Sequence, residues 1–318
     1  MFTREIEDFF GREKIRLINK SSGEYVSIIP AFGGNLNELA LSAKGHTYNI
    51  IDGDKELGTL YGSSTNFYRG AKLSPFPNRV NNGKYEFAGN EYHLEKNAPP
   101  HALHGLCWNL PFALQESTVK NNSVQVILQA DYKALNIGFP FSYHIEIEYT
   151  LEDGKFKCLT RIVNTSEYSI PIADGWHPYF TTGSKINTLK LQLPLCRQVE
   201  LDKTLIPTGK YLPNQEFETP TILNDMMLDH CFELDKNQDI AQTRLIDKSN
   251  GISILIWQKV GDRGYNFIQL YTPPDRNSIA IEPMTCSPDA FNNKNGLIVL
   301  SPGESVEFTF GVSLEVLK

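Results

Sequence analysis

Several short stretches of this chain set catalytic residue types beside glycine, proline and aromatic residues. Glu282 follows the apolar run Ser278–Ile281 and precedes Pro283 and Met284, where strand alternation predicts a change of environment. A carboxylate held at such a strand end suits a general base, and an exposed strand-end glutamate is its ordinary alternative. His177 stands among Trp176, Pro178, Tyr179 and Phe180. Rings such as that of Trp176 suit the apolar face of a sugar and tune an imidazole, whereas a core histidine bonded to a carbonyl is the plainer reading. His101 and His104 flank Ala102-Leu103 ahead of Gly105, which leaves room for close approach by a ligand. No carboxylate follows at metal-site spacing, so no metal is expected there. Asn78-Arg79 lies between a proline pair and the Asn81-Asn82-Gly83 turn. Its guanidinium fits hydroxyl or carboxylate oxygens, or a surface ion pair. Asp229-His230 offers either hydroxyl recognition or a cap.

Strands must position these groups, because the dominant period is two. Tyr143, Ile145, Ile147, Tyr149 and Leu151 alternate with His144, Glu146, Glu148 and Thr150. Asp153-Gly154 then turns the chain into the next apolar run, a hairpin signal. Similar runs recur as YVSIIP, KYEF, EYHLE, SVQVILQAD, LKLQLP, ISILIWQ, FIQLYT, SIAIEP and ESVEFTFGVSLEVL, punctuated by Gly, Asn, Asp and Pro. EIEDFFGRE near the start is the best helix candidate. With no repeat, low-complexity stretch or linker, the pattern predicts an all-β chain, one large antiparallel β-sandwich over residues 1–318.

Composition narrows the partners. The net charge of −7 with no basic stripe argues against nucleic acid. No apolar run reaches transmembrane or signal-peptide length, so neither a membrane nor export is expected and the cytoplasm is the expected compartment. Five widely spaced cysteines without a CxxC pair read as buried thiols of a reducing compartment.

The order of these segments along one all-β chain resembles the aldose 1-epimerase (galactose mutarotase) family over nearly the full length. The likeness is carried by Asn78-Arg79 with the GKYEFAGNEYHL hairpin, Leu103-His104-Gly105, Gly138-Phe139-Pro140, His177-Pro178-Tyr179-Phe180, Asp229-His230, and Glu282 with Pro288-Asp289-Ala290-Phe291-Asn292. The resemblance implies a sandwich of the galactose-mutarotase type without cofactor or metal; a small-molecule sugar is the expected partner, and the chain is expected as a monomer or homodimer. It implies Glu282 as general base at the anomeric hydroxyl, His177 as general acid at the ring oxygen and His104 as their assistant. Arg79 and Asp229 would hold ring hydroxyls, with Asn78 and Trp176 also beside the sugar. Three features depart from the family: Leu106-Cys107-Trp108 directly after Gly105, Pro178 after His177, and Pro283-Met284 after Glu282. The pocket wall therefore differs, and galactose is not carried over as substrate.

Such a set could open a hemiacetal by moving one proton from the anomeric hydroxyl and another to the ring oxygen. Three other readings compete. An epimerase of a phosphorylated or otherwise modified sugar needs a cationic cluster, for which Arg69, Lys72 and Arg79 are the candidates. A non-catalytic sugar sensor needs no acid–base pair. A metal enzyme would have to gather His101, His104, His177 and Glu282.

Overall fold

The computed structural model describes residues 1–56 and 68–317. An antiparallel meander opens it: Phe2–Phe9, Arg12–Asn19, Glu24–Ile29, Asn35–Ala43 and His46–Asn49 pair in sequence order. The helix expected over EIEDFFGRE is therefore a hairpin, with Phe9 opposite Arg12 across a two-residue turn. Phe10 and Gly11 both adopt positive φ, 52° and 80°, as a tight primed turn requires. The charges that suggested helical pairing meet across strands instead: Glu7 bonds Arg16 at 2.8 Å and Lys14 at 3.1 Å.

Two larger antiparallel sheets follow. The nine-stranded sheet runs in the order Ala113–Val119, Ser123–Lys133, Ser142–Glu152, Lys155–Asn164, Ser305–Val316, Ile252–Lys259, Ile240–Asp247, Lys190–Gln192, Thr221–Ile222. Its alternation is the expected one. Tyr143, Ile145, Ile147, Tyr149 and Leu151 are all fully buried, while His144 on the other face pairs with Asp131 at 2.7 Å. Glu152 opposite Lys155 closes the Asp153-Gly154 hairpin.

The second sheet runs Pro207–Pro213, Cys196–Leu201, Asp229–Leu234, Phe267–Tyr271, Ile279–Met284, Gly175–His177, Ala71–Leu73, and Tyr179–Phe180 also pairs with Ile279–Met284. One apolar cluster joins these sheets and the opening meander, with Leu17, Leu36, Tyr149, Trp176, Ile268 and Phe310 among its members. Among the described residues the only α-helix is Ala290–Asn293, so none is long or apolar enough to cross a membrane. All five cysteines are free thiols.

A buried ion pair interrupts this core. Lys72 Nζ bonds Asp174 and reaches Thr160 Oγ1 at 3.1 Å, Tyr265 donates to Asp174 Oδ2 at 2.7 Å, and Lys72 lies over the Trp176 ring. Burial pulls the Lys72 ammonium down and pushes the Asp174 carboxyl up, against their mutual attraction. Partners on both charges are what make such burial tolerable.

Candidate active site

Register assembles one wall of the site. Glu282 lies directly opposite Gln269, and Tyr271, two residues along from Gln269, lies opposite Asp229. Cross-strand partners and residues two apart share a sheet face, so Asp229, Gln269, Tyr271 and Glu282 project together. Tyr179 opposite Ala280 brings the flanking chain alongside, and His177 two residues earlier points the same way.

A loop pair supplies the facing wall. Arg79 pairs with Leu103 in a short ribbon, and the next turn is tied twice: His104 N–H donates to Asn78 O at 2.9 Å, and Asn78 N–H donates to His104 Nδ1 at 3.3 Å. Asn78 and His104 hold positive φ, 55° and 62°, in the region non-glycine residues seldom enter. Gly105 continues that conformation, and a Cβ there would stand 2.4 Å from Ser74 O. Asp289 latches the loop from behind: its N–H donates to Arg79 O at 2.7 Å and its Oδ1 accepts from Asn81 N–H at 2.8 Å. That is the structural work of the Pro288–Asn292 segment.

The walls enclose a cleft of about 190 Å³. At its base His177 Nε2 stands 3.3 Å from Glu282 Oε1, with both residues buried. Among the described residues Glu282 Oε2 has no hydrogen-bond partner. Burial raises the Glu282 carboxyl well above the usual range; the Asp229 charge adds to this and Arg79 opposes it. Burial lowers His177 to about 3. Both shifts disfavour charge, so burial favours a neutral pair holding one proton. Burial, with His177 and Arg79 nearby, also holds His104 neutral. Because its Nδ1 accepts from Asn78, its Nε2 carries the proton. The His104 and His177 rings meet edge to face at 5.1 Å, and Tyr179 stacks on His177 at 5.0 Å.

Asn78, Arg79, His104, His177, Asp229 and Glu282 thus line one cleft. Trp176 does not. It is fully buried on the opposite side of its strand, packed on Tyr149 and Phe310, because alternation sends it away from the face His177 takes. His101 accepts Asn82 N–H at 3.1 Å and braces the loop. Among the described residues no group of three or more His, Cys, Asp or Glu could hold a metal ion. The proposed cationic cluster is dispersed: Lys72 is in the core, Arg69 pairs with Asp52 at 3.6 Å, and Arg79 alone reaches the cleft. Trp108 meets Tyr68 edge to face at 5.8 Å, while the Trp257 ring covers Gly311. Gln269, Tyr68 and Tyr271 line the cleft without having been singled out from sequence. Gln269 had a signal, as the single polar residue within the otherwise apolar and aromatic strand Phe267–Tyr271.

The family model described as aldose 1-epimerase matches residues 13–313. The chain belongs to the aldose 1-epimerase family. Its similarity to the Escherichia coli uncharacterized protein YihR is 24% identity over 304 residues, 93% of this chain and 92% of that one. Human galactose mutarotase is 30% identical over 156 residues, covering 46% of this chain and 43% of that enzyme. A galactose mutarotase-like protein from Clostridium acetobutylicum superposes with a TM-score of 0.86 at 19% identity, over 99% of each chain, which establishes the fold. Within this aldose 1-epimerase fold the cleft lies on the eight-stranded sheet, and the long hydrophobic strands of the nine-stranded sheet back it.

Proposed function

We propose that this protein interconverts the α and β anomers of a free aldose by general acid–base ring opening and reclosure. The observation that carries the reading is the 3.3 Å approach of His177 Nε2 to Glu282 Oε1 at the floor of a cleft walled by hydroxyl-binding groups. Ring opening removes the proton of the anomeric hydroxyl, makes the C1 carbonyl and breaks the bond from C1 to the ring oxygen, which takes a proton. Glu282 acts as the base at the anomeric hydroxyl and His177 as the acid at the ring oxygen. Sugar hydroxyls that donate to the unpartnered Glu282 oxygen add to the opposing charge of Arg79, which favours the charged carboxylate and moves the pair's proton to His177. Rotation about C1–C2 presents the other carbonyl face, and closure reverses both transfers.

Each general acid or base contributes roughly 10²–10⁴-fold, so the pair supplies roughly 10⁴–10⁸-fold at most. His104 donates through Nε2–H as a neutral partner, and Arg79 and Asp229 hold hydroxyls. The dispersal of Lys72 and Arg69 from the cleft favours a sugar without phosphate. Polarimetry or NMR exchange from pure α-anomers tests the proposal, with Glu282→Gln as the control that loses the activity.

A further inference from the structure

Gln269 sits in the cleft wall with no part in the proton transfers. It is 2% exposed and directly opposite Glu282. Both ends of its amide are engaged: Oε1 accepts from Asn78 Nδ2 at 3.2 Å, and Nε2 donates to Asp229 Oδ1 at 2.6 Å. Asn78 Oδ1 in turn accepts from Arg79 Nη1 at 3.2 Å, and Arg79 Nη2 stands 3.8 Å from Asp229 Oδ2. Asn78, Gln269, Asp229 and Arg79 therefore form a ring that is closed by hydrogen bonds on three sides. The fourth side lies beyond hydrogen-bond length.

That open side has a donor on one edge and an acceptor on the other. A hydroxyl is the sugar group that can accept from Arg79 and donate to Asp229 together. An ether oxygen offers Asp229 no proton, and a phosphate brings a like charge against it.

We infer that Gln269 is a positioning residue that tethers Asp229 Oδ1, keeping Oδ2 apart from Arg79 so that the gap reads one unsubstituted hydroxyl of the substrate. Freed of the amide, the carboxylate can turn onto the guanidinium as a two-point ion pair and fill the gap itself. Asn78 Nδ2 is then left buried without its acceptor. The choice of a sugar as ligand rests on the function proposed above; the tether is a property of the protein alone.

The test uses the full chain with Gln269→Met and two readouts. In a crystal structure of the sugar-free variant, Arg79 and Asp229 are expected to close to hydrogen-bond distance; a carboxylate unmoved, with the gap still open, overturns the inference. The second readout compares kcat/KM across the single-deoxy analogues of the aldose that wild type turns over best. Wild type should lose about 10–100-fold at one position, the size of a hydrogen bond to a charged group. Gln269→Met should reduce that penalty to less than about threefold and leave the other positions unchanged. An equal loss across the whole panel means Gln269 is only a packing residue. Should Gln269→Met fail to fold, Gln269→Glu is compared with Gln269→Glu/Asp229→Asn, which exchanges donor and acceptor across the tether. Recovery of the deoxy penalty in the double variant supports the tether, and no recovery overturns it. If wild type interconverts no aldose, the functional proposal fails while the crystal comparison still decides the role of Gln269.

Discussion

His177 Nε2 and Glu282 Oε1 face each other at 3.3 Å across the seam between Gly175–His177 and Ile279–Met284. Among the described residues Glu282 Oε2 and His177 Nδ1 have no hydrogen-bond partner, and burial disfavours charge on both side chains, which favours one proton on the pair. One proton is also what ring opening requires, a donor and an acceptor at once.

The pH–rate profile follows from this. With His177 lowered to about 3 and Glu282 raised, the one-proton state spans mild acid. We expect kcat/KM to stay flat as the pH is lowered through 6.5, and to decline on the alkaline side as the last proton leaves Glu282. Initial rates of anomer exchange across pH check this. Activity falling as the pH drops through the ordinary histidine range would contradict it.

The same burial costs stability. An unfolded Glu282 ionises above about 4.5, while the folded one keeps its proton to higher pH, so folding is penalised as pH rises beyond that value. Glu282→Gln removes the penalty. It should melt above wild type at pH 8, with the difference vanishing near pH 4, where both states hold the proton. Thermal unfolding at the two pH values measures this directly, and an equal difference at both would assign the change to packing.

Behind the site, Lys72→Met strands the Asp174 carboxylate in the core. Breaking one side of a buried pair costs about 3–5 kcal/mol. Urea unfolding should show a loss of that size, most of it recovered in Lys72→Met/Asp174→Asn. A single variant as stable as wild type would mean that the pair is held without mutual dependence.

Much of this was legible in the sequence because alternation survives wherever one sheet face is buried. Tyr143–Leu151 declared its inward set, and Glu282 and His177 stood out as polar residues in apolar surroundings. Two kinds of information were hidden. Over Glu5–Glu13, Ile6, Phe9 and Phe10 imitate a helical stripe, and the hairpin that overrides it depends on pairing with a partner strand. The ring through Gln269 joins residues 78 and 79 to 229 and 269, a closure that only sheet register creates. Trp176 was misplaced for a related reason: adjacency to His177 in sequence puts it on the opposite face of the strand.

That placement is testable. Trp176→Phe should leave KM for the sugar unchanged and cost about 0.5–3 kcal/mol of stability, as core substitutions do. Kinetics together with denaturant melts check it, and a KM increase at constant stability would return Trp176 to the cleft.

The proposed function stands on proton exchange through Glu282 and His177 on a free sugar. Its most direct test follows the equilibration of pure α-anomers of several aldoses by polarimetry, with wild type and Glu282→Gln side by side. The prediction is rapid equilibration of at least one aldose by wild type and a drop of about 10²–10⁴-fold in the folded variant. Equal rates for the two proteins, or no aldose accelerated by wild type, would contradict it.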